Sequence, residues 1–167
     1  IWFATANPAY LDKTNATAIQ AALDLPQETW AVDAGGSARS AEAAILGARG
    51  TSGISMAVIS DLRTGNPTSN DESSGGDAAA AILFGDDEDA PVIAHAMGAA
   101  ASTGEFLDRY RLPGESASRI WEERFGEQAY LALAEDAIER AIKEADLALE
   151  DVDKVVIAGL HARAVRS

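Results

Sequence analysis

The sequence predicts an α/β fold whose strands form a buried sheet. Short apolar runs alternate along the chain with longer helix-forming stretches, which is typical of strands and helices that follow one another. Two of the runs, 53–62 and 78–85, are almost continuously apolar, as expected for strands that are covered on both faces. With 167 residues, 47% of them hydrophobic, the chain is long enough for one domain with a substantial core.

Turn-forming and helix-ending residues separate the first elements. Asn7 and Pro8 close the first apolar run, and Pro26 follows the first helix-forming stretch. Thr14 or Asn15 is suited to cap that helix, because short polar side chains accept hydrogen bonds from the first helical N–H groups. The predicted elements are strands at 1–6, 29–34, 53–62 and 78–85, with helices at 14–23 and 38–49.

The later elements are more varied. A polar loop at 64–76 precedes the fourth strand, and the acidic run at 86–91 reads as the solvated tip of a hairpin, with a cation site as the lesser alternative. An arginine-rich connector with a short helix is expected at 105–126. The predicted elements that remain are a return strand at 91–98, an amphipathic helix at 127–145 and a strand at 154–160.

Composition excludes several classes of function. The net charge of −14 has the wrong sign for non-specific binding to nucleic acid and disfavours anionic membranes. There are no cysteines, which excludes disulfides, cysteine zinc sites and a cysteine nucleophile, and two histidines are too few for a histidine-rich metal site. We expect a cytoplasmic protein without a metal. The chain begins without Met on a strand-like run, so we expect it to be part of a longer protein.

Three separated segments together resemble one superfamily. They are "YLDKTNATAIQAALDLPQETWAVDAGGSARSA", "GGDAAAAILFGD" and "LEDVDKVVIAGLHARAVR". In order and spacing they are similar to the nucleophile turn, the Gly-Asp-Gly-Ala-Gly-Ala strand and the histidine strand of the thiolase superfamily. The resemblance is closest to ketoacyl synthase III and hydroxymethylglutaryl-CoA synthase, and it covers most of the chain.

The resemblance implies a layered αβαβα fold, of which this chain would be a fragment. Residues 1–104 would be the latter part of the first half, 105–126 a connector and 127–167 the start of the second half. The implied function is an acyltransferase of lipid metabolism that condenses acyl groups on a thioester. Its substrate would be a coenzyme A thioester or an acyl carrier protein, with no covalently bound cofactor. A homodimer is implied, and a zinc-ribbon and OB-fold protein is a further candidate partner.

The resemblance also nominates site residues. Counting from Asp33, the position of the superfamily cysteine is Ala38, and Ser37 lies one residue earlier. Ser37 is therefore either a nucleophile, a non-covalent thioester contact or simply a helix N-cap. By the same resemblance Gly36 and Ala38 would be substrate-binding residues, and Gly36 would shape the turn on each of these readings. His161 matches the superfamily histidine, which polarises the thioester carbonyl or assists proton transfer.

Several residues, most of them basic, have two possible roles. Arg163 and Arg166 would contact the phosphates of coenzyme A or form surface ion pairs. Five connector residues would either contact the nucleotide part of coenzyme A or serve only in helix packing and ion pairs. They are Arg109, Arg111, Arg119, Arg124 and Trp121. His95, inside the predicted return strand, is expected to be structural, and Gly76 and Asp77 are expected to form a tight turn before the fourth strand.

Two other functions compete with an acyltransferase. Ala38 in place of cysteine, and Ala164 where the superfamily has asparagine, favour a catalytically silent subunit that binds acyl-CoA or supports a partner enzyme. A flavodoxin-like or Rossmann domain is the third reading, but no G-x-G-x-x-G follows a strand.

Overall fold

A computed structural model describes residues 1–86, 88, 91–159 and 161–167. The chain divides into two units, Ile1–Ile93 and Ala94–Ser167. The first unit contains a mixed sheet with helices, and the second is mainly helical, so the predicted α/β class is confirmed.

Four strands form the sheet of the first unit: β1 (Trp2–Thr5), β2 (Val32–Gly35), β3 (Ser55–Asp61) and β4 (Ala78–Phe84). Their order is β2-β1-β3-β4. β1 pairs in parallel with both β2 and β3, whereas β4 runs antiparallel to β3. All four predicted strands of this unit are therefore confirmed, with β2 beginning three residues later than predicted. The expectation that the run 78–85 is covered on both faces is wrong, because all residues of β4 except Phe84 are exposed. The carboxyl ends of three parallel strands meet at one edge, where loops can carry functional groups.

Three helices accompany this sheet: α1 (Ala16–Ala22), α2 (Ser40–Gly50) and the short α3 (Asn70–Ser74). The helix α3 lies within the stretch predicted to be a loop. The Ser69 hydroxyl accepts the Glu72 N–H at 3.2 Å, so local capping is sufficient to form this one turn.

Small side chains make the core between α2 and the sheet. Its fully buried members are alanines on both elements, and Gly47 of α2 lies against the Trp2 ring. The Ser55 hydroxyl donates to the Ala48 carbonyl at 2.5 Å, which ties the end of α2 to β3. With little side-chain volume between them, α2 packs close to the sheet. The buried alanines are Ala4, Ala44, Ala48 and Ala57.

The second unit is built on the long helix α4 (Glu123–Glu144), which begins four residues earlier than predicted. The arginine-rich connector holds no helix before α4 but a minimal antiparallel hairpin, β5 (Arg109–Tyr110) and β6 (Arg119–Ile120). A 3₁₀ turn, Leu149–Asp151, follows α4, and α5 (Ala162–Arg166) packs against α4.

Two predicted strands are wrong. Residues 91–98 form no strand. Pro91, which lacks an N–H, and the two alanines Ala94 and Ala96 have low strand propensity. Residues 154–159 form no strand either, and Leu160 lies outside the described residues. Val155, Val156 and Ile157 have high strand propensity and are exposed, and the strands described in this unit, β5 and β6, are two residues long and pair with each other. The predicted hairpin tip at 86–91 includes residues 87, 89 and 90, which also lie outside the described residues.

Candidate functional site

A sharp turn joins the end of β2 to the start of α2. Gly36 has a φ of +110°, a conformation that side chains with a Cβ rarely adopt, so glycine is required here. The Ser40 N–H then donates to the Ser37 carbonyl at 3.0 Å, and the Ala41 N–H to the Ala38 carbonyl at 3.3 Å. Gly36, Ser37 and Ala38 therefore form one turn that leads into the amino terminus of α2.

Ser37 is not the cap of α2, so that reading of the sequence is wrong. The helix begins at Ser40, the Ncap position is Arg39, and no side-chain bond caps it. The Ser37 backbone N–H donates to the Ser40 hydroxyl at 3.3 Å, whereas in the described part of the chain the Ser37 hydroxyl itself makes no hydrogen bond. Ser37 and Ala38 are both exposed. The hydroxyl is thus presented to solvent on a turn fixed by backbone bonds.

Asp33 stabilises α1. Its Oδ2 accepts the Asn15 N–H at 2.6 Å and its Oδ1 accepts the Ala16 N–H at 2.7 Å. Burial alone would raise the pKa of Asp33, but these hydrogen bonds and that from the Asn15 amide outweigh it and hold the pKa below its ordinary value. Asn15 occupies the predicted cap position, yet its own side chain makes no cap bond. The cap is supplied from β2.

A second acidic group lies at the same edge of the sheet as the turn. Asp61, at the end of β3, accepts the Thr5 hydroxyl at 3.0 Å and the Ala6 N–H at 2.7 Å through Oδ1. Since β1 lies between β2 and β3, Asp61 and Gly35 are separated by two strand spacings, roughly 10 Å. Asp61 was not among the predicted site residues, although its position at the end of a buried strand was a usable signal.

In the second unit, His161 is the Ncap residue of α5. Its Nδ1 accepts the Ala164 N–H at 3.1 Å. A ring nitrogen that accepts a hydrogen bond carries no proton. This contact therefore assigns the tautomer of His161 in which the proton is on Nε2. The ring lies 5.6 Å from that of Tyr130, between centroids. In this arrangement Nδ1 of His161 acts as an acceptor and Nε2 carries the ring proton.

Asp108 and Tyr130 form a hydrogen-bonded pair near this histidine. Asp108 is 8% exposed, and its Oδ2 accepts the Tyr130 hydroxyl at 2.8 Å. Burial, and then the bond to Asp108, raise the pKa of Tyr130 to about 12. A Cβ built on Gly126 would lie 2.9 Å from Nε2 of His161 and 3.0 Å from Oδ1 of Asp108. Asp108 and Tyr130 were not among the predicted site residues, since they are distant from each other and from His161 along the chain.

The two candidate phosphate ligands differ in their surroundings. The Arg163 Nε lies 2.6 Å from Oε2 of Glu127, and the Ser167 hydroxyl donates to the other Glu127 oxygen at 2.9 Å. The Ser167 bond, followed by Arg163, lowers the pKa of Glu127. Arg163 thus forms the ion pair that the sequence left as an alternative, whereas Arg166 is exposed.

The connector residues form their own contacts. Arg119 pairs with Glu115 and lies over the Tyr110 ring at 5.8 Å. Trp121 and Phe125 stack with ring centroids 5.4 Å apart, and both are partly exposed. Arg119 and Trp121 therefore have partners within the connector, and their presence there does not require a bound ligand.

The remaining predicted residues are placed as follows. Asp77 accepts the Arg63 N–H at 2.8 Å and so joins the two ends of the loop before β4. His95 is exposed and lies in no strand, contrary to the prediction. Within the described ranges, no three His, Cys, Asp or Glu side chains are grouped so that they could hold a metal ion. Among the described residues, no helix has the length and hydrophobicity that crossing a membrane requires.

Comparison with known proteins was informative at the level of structure only. No protein-family model and no curated protein sequence matches the chain. Among solved structures, MvaS in complex with 3-hydroxy-3-methylglutaryl coenzyme A is similar with a TM-score of 0.71 and 18% identity, over 86% of this chain and 36% of that one.

Two further solved structures extend the similarity. The 3-oxoacyl-(acyl carrier protein) synthase III, FabH, from Pseudomonas aeruginosa PAO1 has a TM-score of 0.71 and 17% identity, over 90% of this chain and 50% of its own. The HMG synthase of the curacin biosynthetic pathway, in complex with acetyl donor-ACP, has a TM-score of 0.62 and 17% identity, over 92% of this chain and 37% of its own.

These structures establish the fold. The chain has the thiolase-like α/β fold of such condensing enzymes, as the resemblance of its sequence segments implied. It spans between 36% and 50% of the length of the three solved structures described above.

Proposed function

We propose that the protein is an acyl-CoA or acyl-carrier condensing enzyme or acyltransferase that binds its thioester at the Gly36–Ser37 turn. The observation that carries the proposal is this turn itself: in a thiolase-like fold it leads into the amino terminus of α2, at the carboxyl edge of parallel strands. Backbone N–H groups and the positive end of a helix stabilise the negative charge that develops on a thioester oxygen.

Ser37 is the proposed nucleophile. Its hydroxyl oxygen would attack the thioester carbonyl carbon, an ester bond to Ser37 would form, and the carbon–sulfur bond would break. The hydroxyl proton would pass to the departing thiolate, which leaves as free thiol. Serine ionises far less readily than cysteine, so we expect slow acylation.

For His161, we propose the role that the sequence resemblance gives it, a hydrogen-bond donor to a thioester carbonyl. With Nδ1 accepting the Ala164 N–H, Nε2 carries the ring proton, and an N–H of this kind is suited to donate to a carbonyl oxygen. The surroundings of the imidazole thus favour the first of its two predicted roles, polarising the carbonyl, over accepting a proton. Arg166 remains a proposed contact for coenzyme A phosphates, and Arg163 would reach them only by leaving Glu127.

A catalytically silent subunit is the second candidate. The observation that favours it is the exposed Ala38 at the counted cysteine position, next to a serine whose hydroxyl has no basic partner among the described residues. Such a subunit would bind acyl-CoA or support a partner enzyme, for which a zinc-ribbon and OB-fold protein is the proposed type. On either proposal we expect a cytoplasmic homodimer.

Thioester turnover tests the proposal. The protein is incubated with acetyl-CoA and longer acyl-CoAs, and release of free thiol is followed together with binding of coenzyme A by calorimetry. We expect binding and slow thiol release that Ser37→Ala abolishes. Binding without release in the wild type would support the silent subunit, and neither binding nor release would refute both candidates.

A further inference from the structure

Two neighbouring strands of the first unit send the chain to opposite faces of the sheet. On β2, the Asp33 carboxylate accepts N–H groups at the start of α1, whereas the next residue, Ala34, packs with the alanine core between α2 and the sheet. Successive side chains of a strand point to opposite faces, so α1 and α2 lie on opposite faces of the sheet. The chain therefore leaves β1 toward one face and β2 toward the other, which opens a crevice between their carboxyl ends.

The Gly36–Ser37 turn forms one wall of this crevice, and the residues at the end of β1 form the other. Thr5, the last residue of β1, is the register partner of Gly35, which precedes the turn. A Cβ built on Gly35 would lie 3.8 Å from the Thr5 carbonyl oxygen, so the two strand ends are close together. The position of Thr5 and Ala6 therefore sets one side of the space that the thioester would enter.

Asp61, at the end of β3, holds this second wall from its far side. Its Oδ1 accepts both the Thr5 hydroxyl at 3.0 Å and the Ala6 N–H at 2.7 Å. The Thr5 hydroxyl oxygen in turn accepts the Asn7 N–H at 3.0 Å, so one carboxylate and one hydroxyl fix three successive residues. Because Thr5 is only 5% exposed, water does not readily replace these bonds.

From this arrangement we infer that Asp61 is a positioning residue of the thioester site. It acts through Thr5 and Ala6, which lie opposite the Gly36–Ser37 turn across the crevice. The inference deepens the proposed function, on which its catalytic consequence rests. A carboxylate that fixes the wall before the substrate binds reduces the reorganisation needed for the reaction, so its loss should lower kcat more than it raises KM.

Two pairs of variants test this role. Asp61→Ala removes the acceptor, whereas Asp61→Asn keeps a carbonyl oxygen that can receive both donors. Thr5→Val removes the hydroxyl at nearly constant volume, and Thr5→Ser retains it. Ser55→Ala is the matched control, because it removes a buried hydroxyl bond, to the Ala48 carbonyl, at the opposite end of the same strand β3.

The first measurement is of the backbone amide signals of Gly36 and Ser37 by nitrogen-15 NMR. We expect Asp61→Ala and Thr5→Val to displace these signals. The two conservative variants and Ser55→Ala should leave them near their wild-type positions. The second measurement is thiol release from acyl-CoA. There we expect Asp61→Ala and Thr5→Val to lower kcat about 10- to 100-fold and to change KM less than about twofold, because small misplacements of reacting groups have effects of this size.

The inference and the proposed function fail separately. If Asp61→Ala and Thr5→Val leave the Gly36 and Ser37 signals unchanged, or if Ser55→Ala displaces them equally, the inference is wrong. It is also wrong if the signals move while kcat stays at the wild-type value. If Asp61→Ala does not fold, Thr5→Val and Thr5→Ser decide the question by the same signals. If the signals move as expected but the wild type neither binds coenzyme A nor releases thiol, the link from Asp61 to the turn stands and the proposed function fails.

Discussion

Replacing Asp33 should destabilise the first unit by removing the cap of α1. The Asp33 carboxylate accepts the Asn15 N–H at 2.6 Å and the Ala16 N–H at 2.7 Å, and the Asn15 amide adds a third bond at 3.1 Å. Hydrogen bonds to charged groups contribute about 1.5–3 kcal/mol each, and we place the sum at the low end because Asp33 is half-buried. Asp33→Ala should therefore cost about 3–4 kcal/mol, since two N–H groups lose their acceptor.

Urea unfolding followed by far-UV circular dichroism measures this cost. The urea midpoint of unfolding should fall for Asp33→Ala, while the slope of the free energy of unfolding against urea concentration stays unchanged. Asp33→Asn keeps one acceptor oxygen, so its midpoint should lie between those of the wild type and Asp33→Ala. Exposed Glu28 provides the control, and Glu28→Ala should change stability by less than about 0.5 kcal/mol. A change for Asp33→Ala no larger than that of the control would refute the assignment of Asp33 as the cap.

The lowered pKa of Asp33 predicts how the stability of the first unit changes with pH. The folded pKa of Asp33 lies below its ordinary value of 3.8, so the folded state binds fewer protons than the unfolded state in this range. The stabilisation is present above pH 3.8 and is lost as the pH falls below that value through the folded pKa. Asp33→Asn should flatten this part of the stability profile.

The other predictions concern packing, titration and ion pairing. Gly47→Ala would place a Cβ 2.6 Å from the Trp2 ring, and it should lower the free energy of unfolding by about 1–3 kcal/mol in urea. The Tyr130 phenol should ionise near pH 12, so a late step in ultraviolet titration should vanish in Tyr130→Phe. Because its ordinary value is 10.0, the unfolded state ionises first, and stability should fall between pH 10.0 and about 12. Arg163→Ala should speed amide exchange in α5 by breaking the ion pair with Glu127.

Each of these has a control and a contrary result. Gly50→Ala, with open space around the added Cβ, should leave stability the same or higher, and equal costs at both glycines would contradict the packing account. Tyr10→Phe should leave the late titration step in place. Arg166→Ala, on the same helix as Arg163, should leave amide exchange unchanged, and equal acceleration by both variants would show that the ion pair does not hold α5.

Local sequence signals were sufficient for much of the fold. The apolar runs of β1, β3 and β4 and the helix-forming stretch of α2 carried the information needed to place them. Burial explains this for β1, β3 and α2, whereas β4 is largely exposed and is held by its pairing with β3. The run at 154–159 shows the limit of this reasoning. Its β-branched residues predict a strand, but pairing depends on a neighbour, and sequence alone does not reveal whether one is available.

The candidate site was predictable in part. Two glycines after a strand predicted a turn at Gly36. The positive φ of Gly36 confirms that the turn needs a glycine at this position. The capping of α1 by Asp33 and the contact of Gly126 with Asp108 and His161 join residues that are far apart along the chain. No local pattern predicts such contacts, since they arise only when separate elements pack together.

Intact-mass spectrometry after incubation with acyl-CoAs tests the central claim most directly. The wild type and Ser37→Ala are treated side by side, and the site of any added mass is mapped by peptide fragmentation. If the Gly36–Ser37 turn binds the thioester and Ser37 attacks it, the wild type should carry an acyl adduct on Ser37 that is absent from Ser37→Ala. Wild-type protein that carries no adduct and binds no coenzyme A would contradict it.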